Sequence, residues 1–197
     1  DHRRALMDLG FHEFLETRNG NPVTVDGLHL LTNALVAPTD GAIGDSGLAV
    51  RDGTAAVFNQ NDSKPIDLDA LEQFGPYDLH LAQFAGAIWY PMVYRLEGDA
   101  KRVLGRRKRA NQLARAARFV TEIGAAHFAP FAGPPCFLDE ALFHLNDLGD
   151  DDSNIFVDQR GALAYMRAHG NDRGLLTVPG TLVELEGGSC TVTHPVP

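Results

Sequence analysis

Cysteine is scarce in this 197-residue chain: only Cys136 and Cys190 occur, and neither sits in a C-x-x-C, C-x-H or C-x-x-H pattern. That excludes a disulfide framework, and a zinc or iron-sulfur site built from cysteine within the chain, and it makes a thiol-reduced, cytoplasmic setting the expectation. Long apolar runs are also missing. None approaches the roughly 18 to 20 residues that a membrane span requires, and the start, Asp1-His2-Arg3-Arg4, lacks an apolar signal core. Positive charge is in short supply, with 17 Lys and Arg against 26 Asp and Glu for a net charge of -9. A chain of that balance is not drawn to phosphate backbones or anionic lipid, so neither nucleic acid nor membrane is expected as a partner. The eight histidines, His2, His12, His29, His80, His127, His144, His169 and His194, contain no H-x-H, H-x-x-x-H or H-E-x-x-H spacing. Local sequence therefore puts no two imidazoles on one metal.

What is present is ordinary globular composition, 44% hydrophobic and 22% charged, enough for a single domain over 1–197 with a sizeable core. There is no initiating Met, and the chain reads as a fragment. Residues 3–10 space Leu6 and Leu9 at helical period and stop at Gly10. Asp26-Gly27 and Asp52-Gly53 each lie between β-rich runs and predict two hairpins, 23–36 and 48–58. Residues 67–75 read as a helix with acidic residues in its first turn, closed by Gly75-Pro76, with a strand at 77–84 after it. The longest helix is expected over 101–124, leading into a strand at 125–131. Two more helices, 139–146 and 158–169, and a β pair, 182–185 with 190–193, complete the reading. The pattern is an α/β domain with helices packed on a sheet, of layered α/β/β/α type.

Three expected strands each end in a polar string containing Gly or Pro: 59–65, 83–86 and 130–136. Ligands bind beyond the carboxyl ends of strands in α/β sheets, so convergence of these strings marks the site, and 37–46 after the strand ending at Val36 can join them. Asp62 is the first candidate. At a strand end, flanked by Asn59 and Asn61 and followed by Lys64, its carboxylate can ligate a hard or borderline metal or act as a base. The plainer reading is a turn in which these side chains satisfy backbone groups. Asp40 and Asp45 carry the same pair of readings beside Gly41 and Gly44. His80 reads as a packed or half-exposed strand histidine, whereas His127 and His144 lie near the proposed loops. Cys136, after Pro134-Pro135, reads as a small hydrophobe before it reads as a nucleophile. Eight of the 17 positive charges, Lys101, Arg102, Arg106, Arg107, Lys108, Arg109, Arg115 and Arg118, crowd one helical segment. The plainer reading there is a solvated helix face. The others are a phosphate or carboxylate substrate, or the acidic loop 147–152 of a second copy, which would make a homo-oligomer. Residues 89–92, Trp-Tyr-Pro-Met, either line a pocket or cover a core.

Read together, the strings LVAPTDG (35–41) with Asp45-Ser46, FNQNDSKP (58–65), QFAGAIWYPM (83–92), PFAGPPCFLD (130–139) and NIFVDQ (154–159) resemble, in the same order, a bacterial branch of the metallo-β-lactamase-fold superfamily. That branch is similar to the ascorbate-6-phosphate lactonase-like hydrolases and to the metallo-β-lactamase-like portion of CMP-N-acetylneuraminate hydroxylase. Some of its members carry a Rieske iron-sulfur domain. The resemblance covers about residues 3–185 and identifies the chain as the C-terminal part of such a protein, its N-terminal part missing.

The resemblance implies a four-layer α/β/β/α sandwich with a metal site at one edge. Asp62 would match the acidic ligand that can bridge two metals, and Asp40 or Asp45 would stand near the superfamily's third histidine region. The H-x-H-x-D-H signature is absent, and Ala132 occupies the place of the late histidine. The remaining ligands then lie outside the chain, or the site is carboxylate-rich, or it holds no metal. The expected activity is hydrolysis of a small anionic molecule by a divalent metal, zinc, iron or manganese, with Asp62 as ligand, Asp40 and Asp45 secondary, and Lys64 neutralising substrate charge. Such hydrolysis needs a metal that lowers the pKa of bound water from about 15.7 toward about 7, so the chain alone is expected to be inactive. The alternatives are a Rieske-linked iron oxygenase, its cluster outside this chain, and a metal-free binding module. A half sandwich would leave one sheet face open and prone to association.

Overall fold

This computed structural model describes residues 2–34, 45–65, 68–85, 88–97, 99–133, 136–146, 148–149 and 151–196. Asp40 lies outside them, as do Gly41, Gly44 and Gly86. Helix α1 (His2–Asp8) leads to strands β1 (Val23–Val25) and β2 (Leu28–Ala34), then β3 (Ser46–Arg51) and β4 (Ala56–Asn59). Helix α2 (Asp69–Phe74), strand β5 (Leu79–Gln83), the long helix α3 (Ala100–Ile123) and strand β6 (His127–Phe131) follow. Helix α4 (Gln159–Ala168) and the hairpin β7 (Leu182–Glu186) with β8 (Ser189–Thr193) end the chain.

Strands β1 to β6 form one sheet in sequence order, and β7 and β8 pair separately. Antiparallel pairing of β1 with β2 and of β3 with β4 follows from the two Asp-Gly turns, at the first of which Asp26 (φ 49°) and Gly27 (φ 82°) both take the left-handed backbone that a two-residue hairpin demands; β2 also pairs antiparallel with β3. Strands β4, β5 and β6 are parallel, because a helix intervenes at each crossover. The expected helix over 139–146 is replaced by a single 3-10 turn, Phe143–Leu145. The reason is Asn146: its amide nitrogen donates to the Phe137 and Phe143 carbonyls, its amide oxygen accepts from Phe137 N–H, and the closed loop leaves no room for a continuous helix.

Alternation along the strands sends one set of side chains into the core. Leu31, Ala49, Phe58, His80 and Phe128 lie in one cross-strand row and are all buried. Helix α3 covers this face with Leu113, Ala116 and Val120, and α4 adds Ala162 and Met166. The opposite face carries Leu30, Val50 and Val57 in a half-buried row, with Leu48 43% exposed beside them. One side of the sheet is therefore sealed by helices and the other is only partly covered within the described residues.

Helix α3 ends at Gly124, whose φ of 62° closes the last turn. Its other glycine has a different cause. Gly105 sits inside the helix, where glycine costs about 1 kcal/mol relative to alanine. A Cβ there would collide with the Ser153 backbone carbonyl, so glycine is what lets the 151–157 segment lie against the helix. In the full-length protein, Gly105→Ala is expected to lower stability by about 1–3 kcal/mol despite its better helix propensity. Urea denaturation checks this, and an unchanged or raised midpoint contradicts the close approach.

Candidate functional site

Strand register determines which loops meet. Leu48 pairs with Asn59 and Asn59 with Leu81, while Gln83 pairs with Phe131, so the start of β3 and the ends of β4, β5 and β6 share one rim of the sheet. Asp45 immediately precedes β3, Asp62 follows β4, Gln83 closes β5, and Ala132-Gly133 follow β6. Ala132 takes a left-handed backbone (φ 49°), and Gly133 lies so near the Phe84 ring that a Cβ would stand 2.8 Å from it.

The loop carrying Asp62 is fastened from below. Gln60 is buried; its N–H donates to Leu81 O (3.1 Å), and its side-chain amide donates to Ser63 O (2.9 Å). Ser63 returns two bonds to Gln60 O, from its N–H (3.1 Å) and its hydroxyl (2.7 Å). Asn59 Oδ1 accepts from the N–H of Asn61, which adopts φ 53° as asparagine readily does. The two asparagines thus shape the turn, as the plainer reading has it, while Asp62 and Lys64 on the same loop are exposed. His80 Nε2 lies 3.0 Å from Gln60 Oε1. Because the Gln60 amide nitrogen already donates to Ser63, its oxygen must accept, so the ring carries its proton on Nε2. His80 Nδ1 is then an acceptor buried with no partner among the described residues. Burial pushes this imidazole down to about 3 from an ordinary 6.5, and it stays neutral.

Above the loop is a cavity of about 520 Å³. Asp45, Asp62, Lys64 and Gln83 line it from the rim, Ile88 and Tyr90 from the following loop, and Leu104, Arg107, Lys108, Asn111, Gln112 and Arg115 from α3. The α3 residues recur at three- and four-residue steps, one stripe of the helix. Asp62 Oδ1 accepts from Gln83 Nε2 at 2.8 Å, and its second oxygen has no partner among the described residues. Lys108 Nζ donates to the Ile88 and Tyr90 carbonyls (2.5 and 2.6 Å), tying the wall to the helix. Burial, and then Arg115 nearby, lowers the pKa of Lys108, and burial followed by Arg118 lowers that of half-buried Arg115.

Of the sequence-derived candidates, Asp62, Asp45 and Lys64 come together here; Asp40 lies outside the described residues. His127 begins β6 at the end away from the rim, and neither it nor His144 lines the cavity. Cys136 is exposed and does not line the cavity either. Trp89 packs edge-on against Phe137 and Phe156 while Tyr90 faces the cavity, so that patch does both of the things expected of it. Asn111 and Gln112 also line the cavity, and their signal in the sequence is a polar stripe at helical spacing. A catalytic metal ordinarily takes three protein ligands. The cavity lining supplies two carboxylates, and among the described residues no group of three His, Cys, Asp or Glu side chains is placed to hold a metal. The described residues do not hold one unaided.

The chain matches no protein-family model. It is 48% identical over 202 residues to a protein of Mycolicibacterium smegmatis whose name describes it as a candidate Rieske 2Fe-2S iron-sulfur protein. A Mycobacterium tuberculosis protein of the same description is 47% identical over 203 residues. Both matches cover 100% of this chain and 39% of the relative, so the chain spans about two fifths of the length of the curated relatives it matches. Among solved structures, Igni18, a metallo hydrolase from the hyperthermophilic archaeon Ignicoccus hospitalis, overlays 99% of this chain and 66% of its own with a TM-score of 0.55 at 11% identity. That likeness establishes a shared fold, the mixed α/β arrangement of sheet and helices that the metallo-β-lactamase-like reading requires. Among the described residues, no helix is long and apolar enough to cross a membrane.

The His80 imidazole makes a pH prediction. Its folded pKa lies below its unfolded one, so the unfolded chain binds the extra proton and stability falls as the pH drops below 6.5 toward 3. One such proton contributes a slope of about 1.4 kcal/mol per pH unit. Urea midpoints of the full-length protein between about pH 7 and about pH 4.5 should fall less steeply in His80→Leu than in the wild type. Equal slopes would show that this ring is not held neutral.

Proposed function

We propose that this chain supplies the acidic rim and the cationic wall of a metal-dependent hydrolase that acts on a small anionic molecule in the full-length protein. The observation that supports this reading is the meeting of Asp45 and Asp62 with Lys64, Arg107, Lys108 and Arg115 around one cavity. The carboxylates suit a hard or borderline cation, and the surplus of positive charge suits a negatively charged substrate. A volume near 520 Å³ is that of a small-molecule site.

In this reading Asp62 is a metal ligand, oriented by the Gln83 amide on one oxygen and open on the other. Asp45 and Asp40 are the secondary ligands, and the rest of the set comes from parts of the full-length protein beyond this chain. The metal, zinc, iron or manganese, would supply the activated water. Lys64 neutralises substrate charge at the rim, and Ile88, Tyr90 and Leu104 exclude water from the apolar part of the substrate.

The names of the relatives favour a second reading, a Rieske-linked iron oxygenase on the same fold. The two cysteines here lack the Cys-His spacing of a Rieske centre, so that cluster would belong to another part of the full-length protein. The cavity would bind the substrate in either case. The two readings differ in whether turnover consumes electrons.

The test uses the full-length protein. Asp62→Ala is expected to lose bound metal and activity while its far-UV circular dichroism stays unchanged. Elemental analysis of both proteins decides this: unchanged metal content removes Asp62 as a ligand, and no stoichiometric metal in the wild type favours a metal-free binding module. A Rieske-type electron paramagnetic resonance signal after reduction, with turnover that requires a reductant and O₂, selects the oxygenase.

A further inference from the structure

The eight cations crowded on α3 are not one patch. Those on one side find partners within the chain: Arg106 Nε is ion-paired with Asp152 Oδ1 at 2.7 Å, and Arg109 Nη1 donates to the main-chain Asn154 O at 2.8 Å. The acidic loop thus finds its positive partner in cis, on the flank of the helix where Gly105 admits the 151–157 segment. Arg102 pairs with Asp99 and Arg118 with Glu122 along the helix itself.

Arg107 and Arg115 are on the cavity side, two turns apart with Asn111 between them. Neither makes an ion pair with an acidic side chain among the described residues, although Arg115 is half-buried and sits near two like charges, Lys108 and Arg118. Assembling desolvated cations costs free energy unless an anion offsets it. Among the described residues, the charged lining is four cations, Lys64, Arg107, Lys108 and Arg115, and two carboxylates, Asp45 and Asp62. Lys108 is committed to the Ile88 and Tyr90 carbonyls, which leaves Arg107, Arg115 and Lys64 as the donors open to a ligand.

We infer that Arg107 and Arg115, with Lys64 from the β4 loop, form a subsite for a small-molecule dianion, one negative charge for each guanidinium that has no acidic partner among the described residues. The dianion is one phosphoryl group or two carboxylates on one molecule. Both chemistries suit the guanidinium fork, and Asn111 offers an amide donor between the two arginines. The inference deepens the proposed function, on which it rests for the identity of the pocket, by naming the charge of the substrate and the residues that read it.

Isothermal titration of the full-length protein with inorganic phosphate and with succinate, in dilute chloride buffer, tests it. One of the two dianions should bind, and which one does distinguishes a phosphoryl ligand from a dicarboxylate. Arg107→Met, an exposed position whose loss does not threaten folding, should weaken that binding about tenfold or more, as does loss of a charged hydrogen bond. Arg115→Lys, which keeps the charge and loses the fork, should weaken it less. Arg106→Met removes the same charge from the acid-paired side and should change affinity by less than about twofold. Equal losses in Arg106→Met and Arg107→Met, or no binding of either dianion, overturn the subsite. Asp62→Ala separates this claim from the metal assignment: retained dianion affinity, whatever the metal content, supports the subsite, whereas abolished affinity means the anion sits on something Asp62 holds and overturns it.

Discussion

A hydrogen bond made out of reach of water, from His80 Nε2 to Gln60 Oε1, is the constraint on which the rim depends. It joins β5 to the loop after β4 and orients the Gln60 amide so that its nitrogen can only face Ser63. With Ser63 fastened twice to Gln60, the turn between them has one shape, and Asp62 and Lys64 are displayed rather than folded inward. The arrangement has a cost. His80 gives up its charge and leaves Nδ1 without a partner among the described residues, a desolvation penalty of about 1–3 kcal/mol. Stacking of the ring on Phe58, with centroids 5.4 Å apart, and burial in the core offset part of it.

Helix α3 then works as a partition between two kinds of charge. Its apolar face seals the sheet through Leu113, Ala116 and Val120. One flank is neutralised by the acidic loop and the other is left positive over the cavity. Lys101 and Lys108 tie the wall formed by residues 88–92 to the same helix through the Met92, Ile88 and Tyr90 carbonyls. A single rigid element therefore carries core packing, wall support and the charge of the pocket, which holds charged side chains more closely than a loop does.

Much of this was legible in the residues themselves. The Asp-Gly pairs marked both hairpins, Gly124 marked the end of α3, and the polar string at 59–65 together with Gln83 marked the rim, because each is a local signal with a local cause. Asp45, Asp62 and Lys64 share a cavity as their positions at strand ends suggested. What local signals missed was set by side-chain contacts that residue pattern does not show. The helix expected at 139–146 gave way to a loop closed by Asn146. The basic segment read as a solvated face because pattern alone cannot tell which flank of a helix meets Asp152 and which meets a cavity. His80 could be placed on a strand, but that its second nitrogen would be buried unpartnered depended on the fold of Gln60.

The proposed rim is a metal-bearing edge faced by the cations of α3. Anomalous X-ray diffraction from crystals of the full-length protein, at the absorption edge of whatever transition metal it retains, addresses this most directly. A metal held at such an edge gives a peak about 2.0–2.2 Å from a carboxylate oxygen of Asp62, in the cavity onto which Lys64 and Arg107 open. A peak elsewhere, with Asp62 bonded to Gln83 alone, would contradict it.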